Sequence, residues 1–238
     1  MTSKPQQTQT RERRKANAEA AAAAAAGAER RRRLWGRFAI LTAVVVVVGG
    51  LFLIYRSTSS GGDGTAGSGG SGKYVYQVGK PGPGDQAIDF TLPSTKGGEM
   101  SLADLRGKTV LTYWHEGLGC QPCWDQIRDL EADPGALKEA DIDEFVSITS
   151  GPVDALAQKM TDDKLDSVTL ADTDLAVSEQ YEMNQYGMMG DSRDGHSFLL
   201  IGPDGKILWR ADYGGSPNYT MYVPVDQLLK QLEASRQS

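Results

Sequence analysis

Eighteen consecutive residues from Phe38 to Tyr55, FAILTAVVVVVGGLFLIY, carry no charge. With Leu34, Trp35 and Gly36 at its leading end, the stretch approaches the roughly 20 residues that a helix needs to cross a bilayer. Trp35 and Tyr55 stand at its two ends, where interfacial aromatic rings are favoured. The run has no polar face, so it does not read as a surface helix of a folded domain. Arg30 to Arg33 and Arg37 precede it, and only Arg56 follows closely. The positive-inside rule therefore predicts a cytosolic N-terminus and an extracytoplasmic chain from residue 57 onward. The charged leader is 37 residues long and no A-x-A-like site follows the apolar run, which favours an uncleaved signal anchor over a cleaved signal peptide.

That segment divides the chain into unlike parts. Residues 1–37 hold ten Lys and Arg against three Glu, whereas residues 73–238 hold fourteen against twenty-seven Asp and Glu. The expected organisation is a basic cytosolic tail over 1–33, a transmembrane anchor over 34–56, a linker over 57–72 and an extracytoplasmic domain over 73–238. The tail has helix-forming residues but no apolar stripe, and reads as a solvated topology signal that can also attract lipid headgroups. Twelve of the sixteen linker residues are Gly or Ser. Such a tether spans on the order of 20 Å. The strongly acidic outer part argues against nucleic acid as a partner. Its 166 residues suffice for one domain with a core of its own.

Hydropathy patterning in that domain alternates between strands and helices. VLTYW (110–114) is apolar on both faces, as a central strand between helical layers would be. FVSITS (145–150) and VTLAD (168–172) read as further strands. SFLLIG (197–202), the turn PDG and KILWRAD (206–212) read as a hairpin. Helical spacing places Cys123, Ile127 and Leu130 on one stripe, Val153, Leu156, Ala157 and Met160 on a second after Pro152, and Val225, Leu228, Leu229 and Leu232 on a third after Pro224. A further helix is expected from about Asp174 to Tyr181. DFTLPSTKGGEMSL (89–102) predicts two short strands about a Gly-Gly turn. The sum is an α/β domain with a mixed central sheet flanked by helices.

The densest chemistry is at Cys120 and Cys123, the only cysteines of the chain. A C-x-x-C at the entrance to a helix, just after a buried strand, is a redox signature. Helix N-terminal amides stabilise a thiolate at Cys120, and Cys123 lies one turn deeper. Pro122 fits the first turn, where its missing N–H costs nothing. An inert disulfide would close too small a loop to stabilise much. A zinc site would need His115 and His196 as further ligands. Glu116 is a candidate proton acceptor for Cys123, or simply an exposed loop acid. Trp124 either covers the disulfide or packs in the core.

DFTLPSTKGGEMSLADLRGKTVLTYW, then CQPC, then SFLLIGPDGKILWR resemble, in order, the redoxin group of the thioredoxin-like superfamily. That group includes the alkyl hydroperoxide reductase/thiol-specific antioxidant proteins and the TlpA/ResA-type membrane-anchored thiol–disulfide oxidoreductases. The resemblance implies a thioredoxin-like fold and exchange through a Cys120–Cys123 pair, with no cofactor beyond the redox-active disulfide. It implies protein thiols or disulfides as substrates, and a membrane electron carrier or oxidase for recycling. Peroxidases of the group carry P-x-x-x-T-x-x-C. Neither the Pro nor the Thr precedes Cys120, where the loop offers Glu116 and Gly117. A thiol peroxidase, with Cys120 as the peroxidatic residue and Cys123 resolving, is the first alternative. A copper-binding assembly factor similar to the Sco-type chaperones is the second, with Cys120, Cys123 and His196 as ligands. Alignment on Ser197 and Phe198 puts His196 where thioredoxin-like folds place a proline facing the disulfide. There it would tune the pair as an imidazolium, ligate copper, or stand by as a surface loop residue.

Overall fold

The computed structural model describes residues 67–70 and 72–237. The apolar run and the basic tail lie outside them. Among the described residues no helix is long and apolar enough to cross a membrane.

The sheet is built around β5 (Val110–His115), buried at all six positions. Its side chains alternate between two cores: Leu111 and Tyr113 enter one, Val110 and Trp114 the other. Full burial of each such side chain is worth about 1.5–3 kcal/mol, which fixes this segment at the centre. β5 pairs in parallel with β6 (Glu144–Thr149), and β6 with β7 (Val168–Ala171). On its other edge β5 pairs antiparallel with β8 (Ser197–Ile201), which forms the expected hairpin with β9 (Ile207–Asp212). β2 (Tyr76–Val78) and β1 (Gly67–Gly69) complete a seven-stranded mixed sheet of order β1-β2-β9-β8-β5-β6-β7. A separate hairpin of β3 (Thr91–Pro93) and β4 (Glu99–Ser101) turns at Gly97 and Gly98, both at positive φ.

Helices α1 (Gln121–Ala132), α3 (Val153–Asp163) and α5 (Val225–Arg236) contribute Ile127, Leu156 and Leu228 to the first core. The second core is closed by Phe90, Leu92, Leu102, Tyr181 and Met183. The α/β reading with a mixed sheet and flanking helices holds, and the arrangement is thioredoxin-like.

Three features depart from the sequence reading. The helix α2 (Pro134–Glu139) was not foreseen. The helix expected from Asp174 shortens to α4 (Ala176–Gln180), because Leu175 takes a left-handed φ of 60° and the Asp172 carboxylate accepts the Val177 and Ser178 N–H groups. Part of the expected linker is a strand: Gly67, Ser68 and Gly69 pair with Val78, Gln77 and Tyr76. A Cβ on Gly69 would lie 2.3 Å from the Tyr76 ring, so the lack of a side chain is what permits this edge.

A buried ion pair fastens the segment that follows α4. Arg210 and Asp212 are both fully buried and 2.8 Å apart. The same guanidinium donates to the Pro81 carbonyl at 3.0 Å and lies 5.6 Å from the Tyr186 ring centroid. Asp212 also accepts the Gly79 N–H at 2.7 Å.

Candidate active site

β5 ends at His115, and residues 116–120 carry the chain across to α1. Gly117 has a φ of 85°, and a Cβ there would stand 3.0 Å from the Ser150 carbonyl oxygen. Its own carbonyl accepts the Cys120 N–H at 3.1 Å and the Trp124 Nε1–H at 3.2 Å, setting the loop against the first turn of α1. Cys120 is the N-cap of that helix, with Pro122 in the first turn. Cys120 and Cys123 form a disulfide with Cα atoms 5.3 Å apart. Cys120 keeps 8% of its surface exposed and Cys123 none, so an incoming sulfur reaches Cys120. Trp124 is fully buried in the same core as the two cysteines, its ring edge-on to His115 at 5.1 Å.

Glu116 is not an exposed acid. It is buried, and its Oε1 accepts the Met188 N–H at 2.5 Å while its carbonyl accepts Arg193 Nη1 at 3.1 Å. Arg193 Nη1 also lies 3.5 Å from where a Gly119 Cβ would be, which brings a guanidinium to the residue before Cys120. Leu118, Met188 and Met189 are exposed on these two joined loops.

His196 is not a surface residue either. It is fully buried, with Nδ1 2.7 Å from the Tyr113 hydroxyl. Burial, assisted by the neighbouring His115, lowers its pKa to about 3. The ring is neutral at physiological pH and does not supply the positive charge expected of it. Tight backbone contacts hold its loop. The His196 carbonyl accepts the Tyr213 N–H at 2.8 Å, and a Cβ on Gly195 would lie 1.7 Å from the Tyr186 carbonyl oxygen.

Two residues gain weight that the sequence alone did not give them. One step beyond the last ladder pair, Trp114 with Ser197, the same antiparallel register sets His115 opposite His196. His115 is also fully buried, and burial lowers its pKa to about 3. Both rings contact Tyr113, at 5.2 Å and 4.9 Å between centroids. The alternation of β5 could have placed His115 on the Tyr113 face; only the pairing of β5 with β8 brings it to His196. The second residue is Asp194, buried with both carboxylate oxygens unpartnered. The Ser178 hydroxyl that faces it is committed to Asp172 Oδ2 at 2.5 Å. Burial, with the Asp172 charge adding to it, pushes Asp194 up to about 8.

Among the described residues no group of three or more His, Cys, Asp or Glu side chains is placed to hold a metal ion.

Comparison with known proteins agrees with this geometry. The model of the AhpC/TSA family matches residues 83–210. Peroxiredoxin Bcp of Escherichia coli (strain K12) is 32% identical over 127 residues, covering 52% of this chain and 81% of its own. The thiol-disulfide oxidoreductase ResA of Bacillus subtilis (strain 168) is 24% identical over 180 residues, covering 75% of this chain and 84% of its own. Among solved structures, peroxidoxin BcpB from Mycobacterium tuberculosis superposes with a TM-score of 0.53 at 21% identity, over 64% of this chain and 97% of its own, a likeness of fold.

Proposed function

The chain belongs to the AhpC/TSA family and is an oxidoreductase, and from that premise we propose that it is a membrane-anchored extracytoplasmic enzyme that exchanges thiols and disulfides through Cys120 and Cys123. The observation that carries the reading is the Cys120–Cys123 disulfide at the start of α1, with one sulfur partly exposed and the other sealed in the core. A substrate thiolate attacks Cys120 Sγ and displaces Cys123 as a thiolate, leaving a mixed disulfide. A second substrate thiolate then releases the oxidised product and the reduced pair. Run in reverse, the same steps reduce a substrate disulfide and leave the Cys120–Cys123 pair oxidised. The helix N-terminus favours the anionic form of Cys120 in either direction.

The test is trapping. Cys123→Ser should accumulate mixed disulfides through Cys120, and Cys120→Ser should abolish exchange. Equal trapping by both variants would refute the assignment. The reduction potential gives the direction, since values near about -270 mV mark reductants and near about -120 mV oxidants.

The anchor at 34–56, the outward orientation and a membrane electron carrier or oxidase as recycling partner are part of this proposal and rest on the charge asymmetry of the sequence. Protease added to intact cells or spheroplasts should cut near Gly61 to Gly72 and release the redox domain. Protection of that domain in cells with a permeabilised envelope but an intact inner membrane would reverse the topology.

A second reading, thiol peroxidase, is favoured by the likeness to peroxiredoxin Bcp. Counted back from Cys123 rather than Cys120, the spacing P-x-x-x-T-x-x-C puts Glu116 on the proline and Cys120 on the threonine. A peroxidase using that register would react first at the buried Cys123. Stopped-flow oxidation of the reduced protein by hydrogen peroxide separates the readings. A rate far above that of a free thiolate would establish peroxidase chemistry, at Cys120 if it is lost in Cys120→Ser and at Cys123 if it is retained there and lost in Cys123→Ser.

A further inference from the structure

We propose that the His115 Nε2–H is the hydrogen-bond donor that receives the buried thiolate formed when the Cys120–Cys123 disulfide opens. The proposal rests on the exchange reading of the pair and adds a residue to it.

Its basis is the position and tautomer of the ring. His115 closes β5 on the same face as Leu111 and Tyr113, whose core also contains Cys120, Cys123 and Trp124. The ring is stacked on Tyr113 and stands at 79° to Trp124, the residue after Cys123. It is therefore wedged between the sheet and the first turn of α1. Nδ1 accepts the Gly117 N–H at 3.3 Å, which leaves the proton of the neutral ring on Nε2. That Nε2–H is buried and has no partner in the disulfide form. Burial holds the ring neutral, so it offers a donor and not a charge.

A buried donor without an acceptor is destabilising. A disulfide sulfur is a weak acceptor, whereas a thiolate is a strong one. Attack at Cys120 breaks the S–S bond and leaves the electron pair on Cys123 Sγ, the sulfur with no access to water. An anion there needs a donor from the protein, and His115 holds one in reserve. The donation lowers the pKa of the leaving thiol, which speeds its departure, and stabilises the reduced pair against the oxidised one. His196 lies across from His115 and its Nε2 is also unpartnered. Its Nδ1 faces a hydroxyl that can donate or accept, so its tautomer is not fixed in the same way. His115 is the one whose free proton is determined.

The experiment uses the full-length protein equilibrated with glutathione redox buffers, which requires no physiological partner. His115→Phe keeps the ring volume and removes the donor; His115→Gln keeps an N–H. His115→Phe should shift the equilibrium about tenfold toward the disulfide, close to 30 mV for a two-electron couple, and raise the pKa of the buried thiol. His115→Gln should fall nearer the parent. A folded His115→Phe protein with parental potential and thiol pKa overturns the proposal. If that variant does not fold, the proton and nitrogen resonances of His115 Nε2 decide in the parent protein. A downfield shift on reduction supports donation, and no change overturns it. Because glutathione equilibrium and ring resonances do not depend on a protein substrate, failure here leaves the trapping test of exchange untouched, and failure of trapping leaves this one standing.

Discussion

The Tyr113 hydroxyl and His196 Nδ1 lie 2.7 Å apart, both side chains wholly buried, joining β5 to the loop that enters β8. Tyr113→Phe would leave a buried ring nitrogen without its partner. A loss of about 1–3 kcal/mol is expected from chemical denaturation of the oxidised protein at neutral pH. Phe at 113 keeps the stacking on Phe198, so the fold should survive.

Four buried groups, His115, His196, Asp194 and Asp212, bear on the pH profile of stability. Below pH 6.5 the unfolded chain binds a proton at His115 and at His196 that the folded chain refuses until about 3, so acid lowers stability across that window. Asp194 acts oppositely. The folded chain holds its proton to about 8 and the unfolded chain releases it near 3.8, so stability falls as pH rises between those values. Asp212, whose pKa burial also raises, acts in the same sense as Asp194. Stability from chemical denaturation should fall between pH 6.5 and pH 8, with Asp194 contributing about 2 kcal/mol of the loss.

Asp194→Asn separates the two limbs. An amide does not titrate, so the decline above pH 6.5 should flatten, recovering about 2 kcal/mol at pH 8 relative to the parent curve. The acid limb, set by the imidazoles, should remain and become steeper. An unchanged alkaline decline would show that another group is responsible.

Glu116 joins the loop before Cys120 to the loop at Met188 and Arg193. Glu116→Ala should free the Met188 N–H, expose residues 187–193 to limited proteolysis and slow thiol exchange several-fold. Glu116→Gln keeps an acceptor oxygen and should behave nearly as the parent in both measurements.

Gly195 is where packing leaves no freedom. A Cβ would meet the Tyr186 carbonyl at 1.7 Å, and both partners are backbone. Gly195→Ala should lose at least the 1–3 kcal/mol, roughly, of an overpacked core, seen as a lowered thermal midpoint and altered near-ultraviolet circular dichroism. Retained stability would mean that the Tyr186 turn can move.

The order of strands and helices was legible because β5, β6 and β8 are continuous apolar runs and the three long helices carry clear stripes. Cys120 and Cys123 were legible because a single helical turn brings them together without help from the rest of the chain. The burial of Glu116 and His196 was not legible, for the opposite reason. Their burial is caused by residues 186–188 and 213–214, remote in sequence, and a polar residue beside glycines reads as surface until those segments are placed. Asp194 gave no signal, since nothing local distinguishes a buried carboxyl from a turn acid. The glycine strand β1 was hidden because its composition is that of a tether, and only the Tyr76 ring gives its lack of side chains a purpose.

The walls around the disulfide are made late. Cys120 and Cys123 leave the ribosome well before Phe198, Tyr213 and Leu228, which complete the core they share. During that interval both sulfurs are open to any oxidant. In a chain richer in cysteine this delay would invite mispairing. Here the two thiols are alone, and the helix turn that spaces them is local. Premature oxidation within the nascent chain therefore has a single intramolecular product, the native bridge, and the order of synthesis carries no penalty for correct pairing.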